Sequence, residues 1–204
     1  LHNGSSTQDG SVLSLGLAWG AQPINNDSRG GYYRVAYQHA RWSWSAGLDR
    51  VASISGDSFD GWYATGFARY QASPRLGYGG SLAVRDPGSS RTIAGQWFVD
   101  QANAWGQSRL QFDHRQTSGR SFDDDSWQLS LEQTLPLRQG RRLALSAAYG
   151  ELAYADEPAV GTYSLSAYGG LDITSSLKLD GTLRWTERDG TGAYRGVDAN
   201  LSLA

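Results

Sequence analysis

Between residues 126 and 150, apolar and polar side chains alternate with period two on both sides of a single break. Trp127, Leu129, Leu131 and Leu135 interleave with Gln128, Ser130, Glu132 and Thr134. After residues 136–140, Leu143, Leu145, Ala147 and Tyr149 interleave with Arg142, Ala144, Ser146 and Ala148. Successive side chains of a strand point to opposite faces, so the pattern predicts two strands, each apolar on one face only. A tilted strand of about 9–11 residues crosses a bilayer. The apolar faces begin or end in an aromatic residue, and the opposite faces carry Glu and Arg. The stretch therefore reads as one hairpin of a transmembrane β-barrel, with lipid outside and water inside.

The same alternation continues along the chain. It predicts strands near residues 11–21 (Leu13, Leu15, Leu17, Trp19), 32–38 (Tyr33, Val35, Tyr37) and 42–49 (Trp42, Trp44, Ala46, Leu48). Near residues 62–70, Trp62, Ala64, Ala68 and Tyr70 oppose Tyr63, Thr65, Phe67 and Arg69. Tyr78, Leu82 and Val84 mark the next strand. Ile93, Trp97 and Val99 mark residues 91–100, and Leu110 and Phe112 mark residues 105–115. Beyond the hairpin come Tyr163, Leu165, Ala167 and Leu171, and then Leu177, Leu179, Leu183 and Trp185. The last strand carries Tyr194, Val197, Ala199, Leu201 and Leu203. The expected fold is all-β: a transmembrane antiparallel up-and-down β-barrel of about twelve strands. Long polar loops, at 22–31, 53–61, 117–125, 151–161 and 187–192, largely alternate with short turns. On the rule of long outer loops and short periplasmic turns, both termini are periplasmic. Residues 1–10 read as a flexible polar N-terminal segment and residues 11–204 as the barrel domain.

Composition narrows the alternatives. The chain of 204 residues is 39% hydrophobic and 19% charged, and no run approaches the 18 or so apolar residues of a spanning helix. With no cysteine, disulfides and thiolate chemistry are excluded. A net charge of −2 without a basic stripe argues against nucleic acid. No signal peptide begins at Leu1, so the chain reads as mature or trimmed. A soluble barrel would need far more inward apolar volume than these faces supply.

The expected wet face carries Arg34, Asp49, Arg69, Arg109, Asp113, Glu132, Arg142, Lys178, Asp180, Arg184 and Asp198. These are the candidate lumen-lining residues, with cations slightly in excess, a balance that favours anionic solutes. Trp19, Trp42, Tyr70, Trp97, Trp127, Tyr149, Tyr163, Trp185 and Tyr194 are the candidate membrane-interface aromatics. No cofactor, metal site or catalytic residue is expected; the acidic runs 123–125 and 156–157 read as solvated loops. An enzyme of this class would need a His near the outer rim, and His114, with Asp113, Thr117, Ser118 and Asp125 nearby, is the one candidate for an outer-membrane hydrolase.

Alternating strands with aromatic ends over residues 11–204 resemble the outer-membrane β-barrel proteins of Gram-negative bacteria. Residues 194–201, Tyr-Arg-Gly-Val-Asp-Ala-Asn-Leu, look like the C-terminal assembly signal of that class, although Ala204 stands where a terminal aromatic is usual. The resemblance implies location in the bacterial outer membrane, with the lipid bilayer and the barrel-assembly machinery as partners. The departure at Ala204 implies missing residues or the barrel part of a longer protein. The functional expectation is a porin-like channel for small polar solutes, anionic solutes and saccharides among them. A barrel anchor or export portal of a larger secretion assembly, such as exopolysaccharide export with a periplasmic partner or upstream domain, is the alternative.

Overall fold

A computed structural model describes residues 4–8, 11–25, 28–39, 41–53, 60–119, 123–137, 141–155, 157–173, 177–190 and 192–203. Side chains are described for residues 34–38, 41–50 and 61–203, except 120–122, 138–140, 142, 156, 174–176 and 191. Among the described residues the chain forms thirteen strands, numbered in chain order. They are β1 (Gly4–Gln8), β2 (Ser11–Asn25), β3 (Ser28–His39), β4 (Trp42–Ser53), β5 (Asp60–Ser73), β6 (Leu76–Asp86) and β7 (Ser90–Asn103). After these come β8 (Gly106–Gly119), β9 (Asp123–Leu135), β10 (Arg141–Tyr154), β11 (Val160–Asp172), β12 (Lys178–Arg188) and β13 (Tyr194–Leu203). The chain divides into two compact units. One comprises Leu1–Ala72, Tyr78–Trp97 and Arg115–Asp123; the other comprises Ser73–Gly77, Phe98–His114 and Asp124–Ala204.

In the first unit, β1 to β5 pair antiparallel, each with the next. Gly4–Gln8 was expected as a flexible segment, yet it pairs residue for residue with Leu15–Ser11 and adds a strand to the twelve. The intervening sequence is Asp-Gly, the dipeptide that two-residue hairpins favour. Because β1 doubles back along β2, Gly4 lies away from Ser11 along the strand axis. The loop expected at 22–31 is mostly strand. The ladder shifts register between Ala18 and Gln22 and again between Pro23 and Asn25. Those irregularities take up Pro23, which has no N–H to donate.

In the second unit, β9 to β13 pair antiparallel in unbroken register. Paired residues share a face, so the ladders carry the sidedness of the 126–150 hairpin outward. Leu131 lies opposite Ala147, Ala147 opposite Leu165, Leu165 opposite Trp185 and Trp185 opposite Val197. The other face reads Ser130, Ala148, Ser164, Thr186 and Gly196 along the neighbouring row.

Trp105 was expected to open a strand. It stands instead in the two-residue turn between β7 and β8. Asn103 Oδ1 accepts the Trp105 backbone N–H at 2.8 Å, closing an Asx turn, and Gly106 leaves the turn at φ +118°. Gln133 of β9 then ties the turn down, its Nε2 donating to the Trp105 carbonyl at 3.0 Å.

Burial runs opposite to that of a soluble protein. Along β4, Trp42, Trp44, Ala46 and Leu48 are exposed while Ser43, Ser45, Gly47 and Asp49 are half-buried. β7 repeats the pattern, with Ile93, Trp97 and Val99 exposed between Thr92, Gln96 and Asp100. Among the described residues, Phe98 and Val160 are the only buried hydrophobics. The chain exposes 14450 Å², whereas a water-soluble protein of 22.1 kDa would expose about 9300 Å². Among the described residues, two buried apolar side chains cannot offset the conformational entropy of ordering their strands in water. The missing apolar burial has to come from a surrounding apolar medium.

Candidate functional site

The polar face is built by strands whose alternate positions must be wettable if the other positions meet lipid. In the first unit it carries Arg34, Ser43, Ser45, Gly47, Asp49, Tyr63, Thr65, Phe67 and Arg69 on β3, β4 and β5. Arg34 Nη2 donates to Asp49 Oδ2 at 2.7 Å. The Arg34 side chain lies across Gly47, its Cδ and Nη1 each 2.9 Å from where a Cβ would stand, so a side chain at 47 would push it aside. Arg69 Nη2 reaches Gln71 Oε1 at 3.4 Å.

In the second unit the face centres on Arg109. Its Nε donates to Asp100 Oδ1 at 2.6 Å and its Nη2 to Asp100 Oδ2 at 3.0 Å, a bidentate pair. The guanidinium carbon stands 4.9 Å from the centre of the Phe98 ring, which is only 7% exposed. The pair therefore roofs an aromatic ring on the wet side of the sheet. Because Arg109 is nearly half exposed, solvent screens the pair, and its coupling belongs near the lower end of the usual range. A double-mutant cycle with Asp100→Asn and Arg109→Gln is expected to give about 0.5 kcal/mol. A coupling indistinguishable from zero in denaturant titrations would mean the pair is ornamental. Tyr168 Oη donates to Asp180 Oδ1 at 2.8 Å on the same face. Asp113 accepts from Gln111 Nε2 at 2.8 Å.

Each sequence-derived lumen candidate can be placed by this register. Arg34 and Asp49 meet, and Arg69 stands on the same face two strand pairings away. Arg109, Asp113, Glu132, Lys178, Asp180, Arg184 and Asp198 fall on the polar positions of their strands, with Arg184 opposite Asp198 in the ladder. The Arg142 side chain lies outside the described residues. Asp100, which the sequence reading passed over, is the partner of Arg109, so the apparent cation excess is smaller than the tally suggested.

The apolar face holds two aromatic rows, one in each unit. In the first, Trp42 and Tyr70 are 4.6 Å apart between centroids and Tyr70 and Tyr78 5.4 Å, beside the turns that end β3 and β5. In the second, Phe112, Trp127, Tyr149 and Tyr163 follow one another at 6.3, 5.3 and 4.6 Å beside the connections that follow β8 and β10. Trp97 lies on the apolar face over Gly80 and Gly95, and Trp185 pairs with Leu165. The Trp19 side chain lies outside the described residues. Tyr194 needs correction: it is the ladder partner of Arg188, one position out of phase with Val197, and so belongs to the polar face. Sequence reading grouped it with Val197 across an odd spacing, which period-two geometry forbids.

A groove of about 680 Å³ opens on the apolar face of the second unit, lined chiefly by Leu129, Leu131, Tyr149, Tyr163, Leu165 and Trp185. Glu187 and Asp189 also line it, but its walls are mostly apolar, as those of the lipid-facing surface are. His114 Nε2 lies 2.9 Å from Asp125 Oδ1. It shares the face of Phe112, whereas Thr117 is buried on the opposite face and hydrogen-bonds Thr92 at 3.2 Å. The structure thus gives His114 an acidic partner and brings no hydroxyl to it among the described residues. No group of three potential metal ligands is found among the described residues, of which Asp156 is not one.

No family model and no curated protein matches the sequence. Solved structures do match in fold. The siderophore receptor PirA from Pseudomonas aeruginosa aligns with a TM-score of 0.63 at 16% identity over 86% of this chain and 37% of its own. The ferric enterobactin receptor PfeA from Pseudomonas aeruginosa aligns with a TM-score of 0.60 at 13% identity over 94% of this chain and 41% of its own. A bacterial polysaccharide outer membrane secretin aligns with a TM-score of 0.52 at 14% identity over 98% of this chain and 75% of its own. The chain therefore spans about two fifths of the length of these receptors. At such identities the likeness is one of fold: the antiparallel up-and-down sheet of outer-membrane β-barrel proteins.

Proposed function

We propose that this chain forms part or all of the wall of a transport barrel in the bacterial outer membrane, with its polar face bordering a passage for small polar solutes. The supporting observation is the inverted burial: Trp42, Trp44 and Leu48 on β4 and Ile93, Trp97 and Val99 on β7 are exposed, while serine, threonine and paired charges take the sheltered positions. On this reading the sheet closes, alone or with further strands, around a wet interior, and the short turns face the periplasm. The bilayer is its solvent, and the barrel-assembly machinery inserts it.

Planar-bilayer conductance of the refolded chain is the direct test. A charge that is free to face passing ions sets selectivity, whereas one neutralised by a bidentate partner contributes little. Arg184→Gln is therefore expected to shift the reversal potential towards cations, and the double variant Asp100→Asn/Arg109→Gln, which removes both charges of the pair, to shift it less. No ion current from folded protein would remove the channel.

The coverage of nearly the whole chain by a polysaccharide outer membrane secretin favours a second reading: a barrel that serves as anchor or export portal of a larger assembly. An ion-tight barrel that co-purifies with a periplasmic partner is its expected signature. The His114–Asp125 pair leaves a hydrolase as a third reading, for which His114→Ala should abolish turnover across a lipid and peptide substrate panel.

A further inference from the structure

Among the described side chains of the first unit, two aromatic ones stand on the wrong face for membrane contact. Tyr63 and Phe67 are 40% and 37% exposed and occupy polar-face positions of β5. Four residues of strand separate them by about 13 Å. The ladder sets the ground between them. Tyr63 lies opposite Asp49, Thr65 opposite Gly47 and Phe67 opposite Ser45, and Gly47 is in turn opposite Arg34. Two flat rings thus bracket a low floor of glycine, threonine and serine. Across that floor lies a guanidinium–carboxylate pair, Arg34 with Asp49 at 2.7 Å.

This combination has a chemical counterpart. A pyranose ring presents a face of C–H groups that packs on an aromatic ring, and adjacent hydroxyls that match the paired donors of a guanidinium and the paired acceptors of a carboxylate. Thr65 keeps the floor between the rings low, and beside it Gly47 leaves room for the Arg34 side chain that lies across it. A small inorganic anion would use Arg34 but has no use for the rings. A lipid chain would use the rings but not the ion pair beneath. An oligosaccharide uses both.

We propose that the polar face of β3–β5 is an oligosaccharide-binding strip, with Tyr63 and Phe67 as stacking platforms and Arg34, Asp49 and Arg69 as hydrogen-bonding groups. The strip rests on the reading of this face as the border of a wet passage, and it names the class of solute for that passage.

The full chain, refolded in detergent, would be titrated calorimetrically with maltohexaose as a neutral probe and a hexagalacturonate as an anionic one. Binding of at least one probe is expected. It should weaken about tenfold or more in Tyr63→Leu and in Phe67→Leu, which keep apolar bulk and strand preference but lose the flat ring. Tyr168→Leu, on the polar face of the other unit, should bind within about twofold of the wild type. A wild-type protein that folds and binds neither probe overturns the strip, as do Leu variants that bind as tightly as wild type. Conductance measured on the same preparations separates the two ideas. Binding without current leaves the strip standing and removes the channel, whereas current without binding does the reverse.

Discussion

Leu183→Arg is expected to cost about 2–4 kcal/mol of stability in lipid vesicles, the penalty for a cation near the middle of the lipid face of a barrel strand. Leu183 is 54% exposed, and its ladder partners on that face are Ala167 and Ala199. No carboxylate stands among those neighbours, so an arginine there meets hydrocarbon with nothing to pair with. Its immediate predecessor, Thr182, points to the other face between Tyr168 and Asn200. Thr182→Arg should cost well under 1 kcal/mol, because a new charge at a wet position keeps its hydration. Urea titrations of both variants in vesicles decide the matter. Equal losses, or a larger loss at Thr182, would mean that the apolar face does not meet lipid, and the transport reading would fall with it.

Gly106→Ala is expected to cost more than the loss of a methyl-sized space would suggest, at least about 2 kcal/mol. Two effects add. A residue with a Cβ at φ +118° carries backbone strain of roughly 1–3 kcal/mol. The new Cβ would also run into the carbonyl oxygen of Thr134 on the neighbouring strand. That oxygen belongs to a backbone held by Gln133, which also holds the Trp105 carbonyl, so neither side of the turn can give way cheaply. Gly192→Ala is the matched control. It too has a positive φ, +76°, but open space where its Cβ would go, so it pays the left-handed cost of about 1–2 kcal/mol alone. Equal melting midpoints for the two variants would show that the contact with Thr134 carries no weight.

The sidedness of the strands is legible in sequence because one face has to be apolar along its whole membrane depth. Leu129, Leu131, Leu143 and Leu145 could be assigned by counting alone, whereas on β5, where both faces carry rings, counting leaves the facing of Trp62 and Tyr63 open. What the pattern does not reveal is where strands stop. Past the hydrocarbon, both faces of a strand are wet, so alternation fades while the backbone ladder goes on. β8 continues through Thr117 to Gly119, and β9 begins at Asp123, across stretches that read as loop. β1 is polar throughout and left no periodic trace. Trp105 was misplaced for a different reason: tryptophan favours strands, and the turn signal lay in its neighbours Asn103 and Gly106. The charged face was visible as a set of residues but not as partners. Asp100 sits two residues from Phe98 on the same face, yet nothing in the sequence joins it to Arg109 nine positions on. The rings of Tyr63 and Phe67 were seen as an ambiguity of facing, and only the register against Asp49 and Ser45 turns that ambiguity into a juxtaposition.

The row from Phe112 through Trp127 and Tyr149 to Tyr163 crosses four consecutive strands at nearly one height. If this row lies at the edge of the bilayer, its linked rings would move into oil or water together, and it would act as a waterline that the whole unit shares. In a bilayer thinner or thicker than the sheet's greasy belt, the lipids should stretch or compress to meet that line, while the protein keeps its draught.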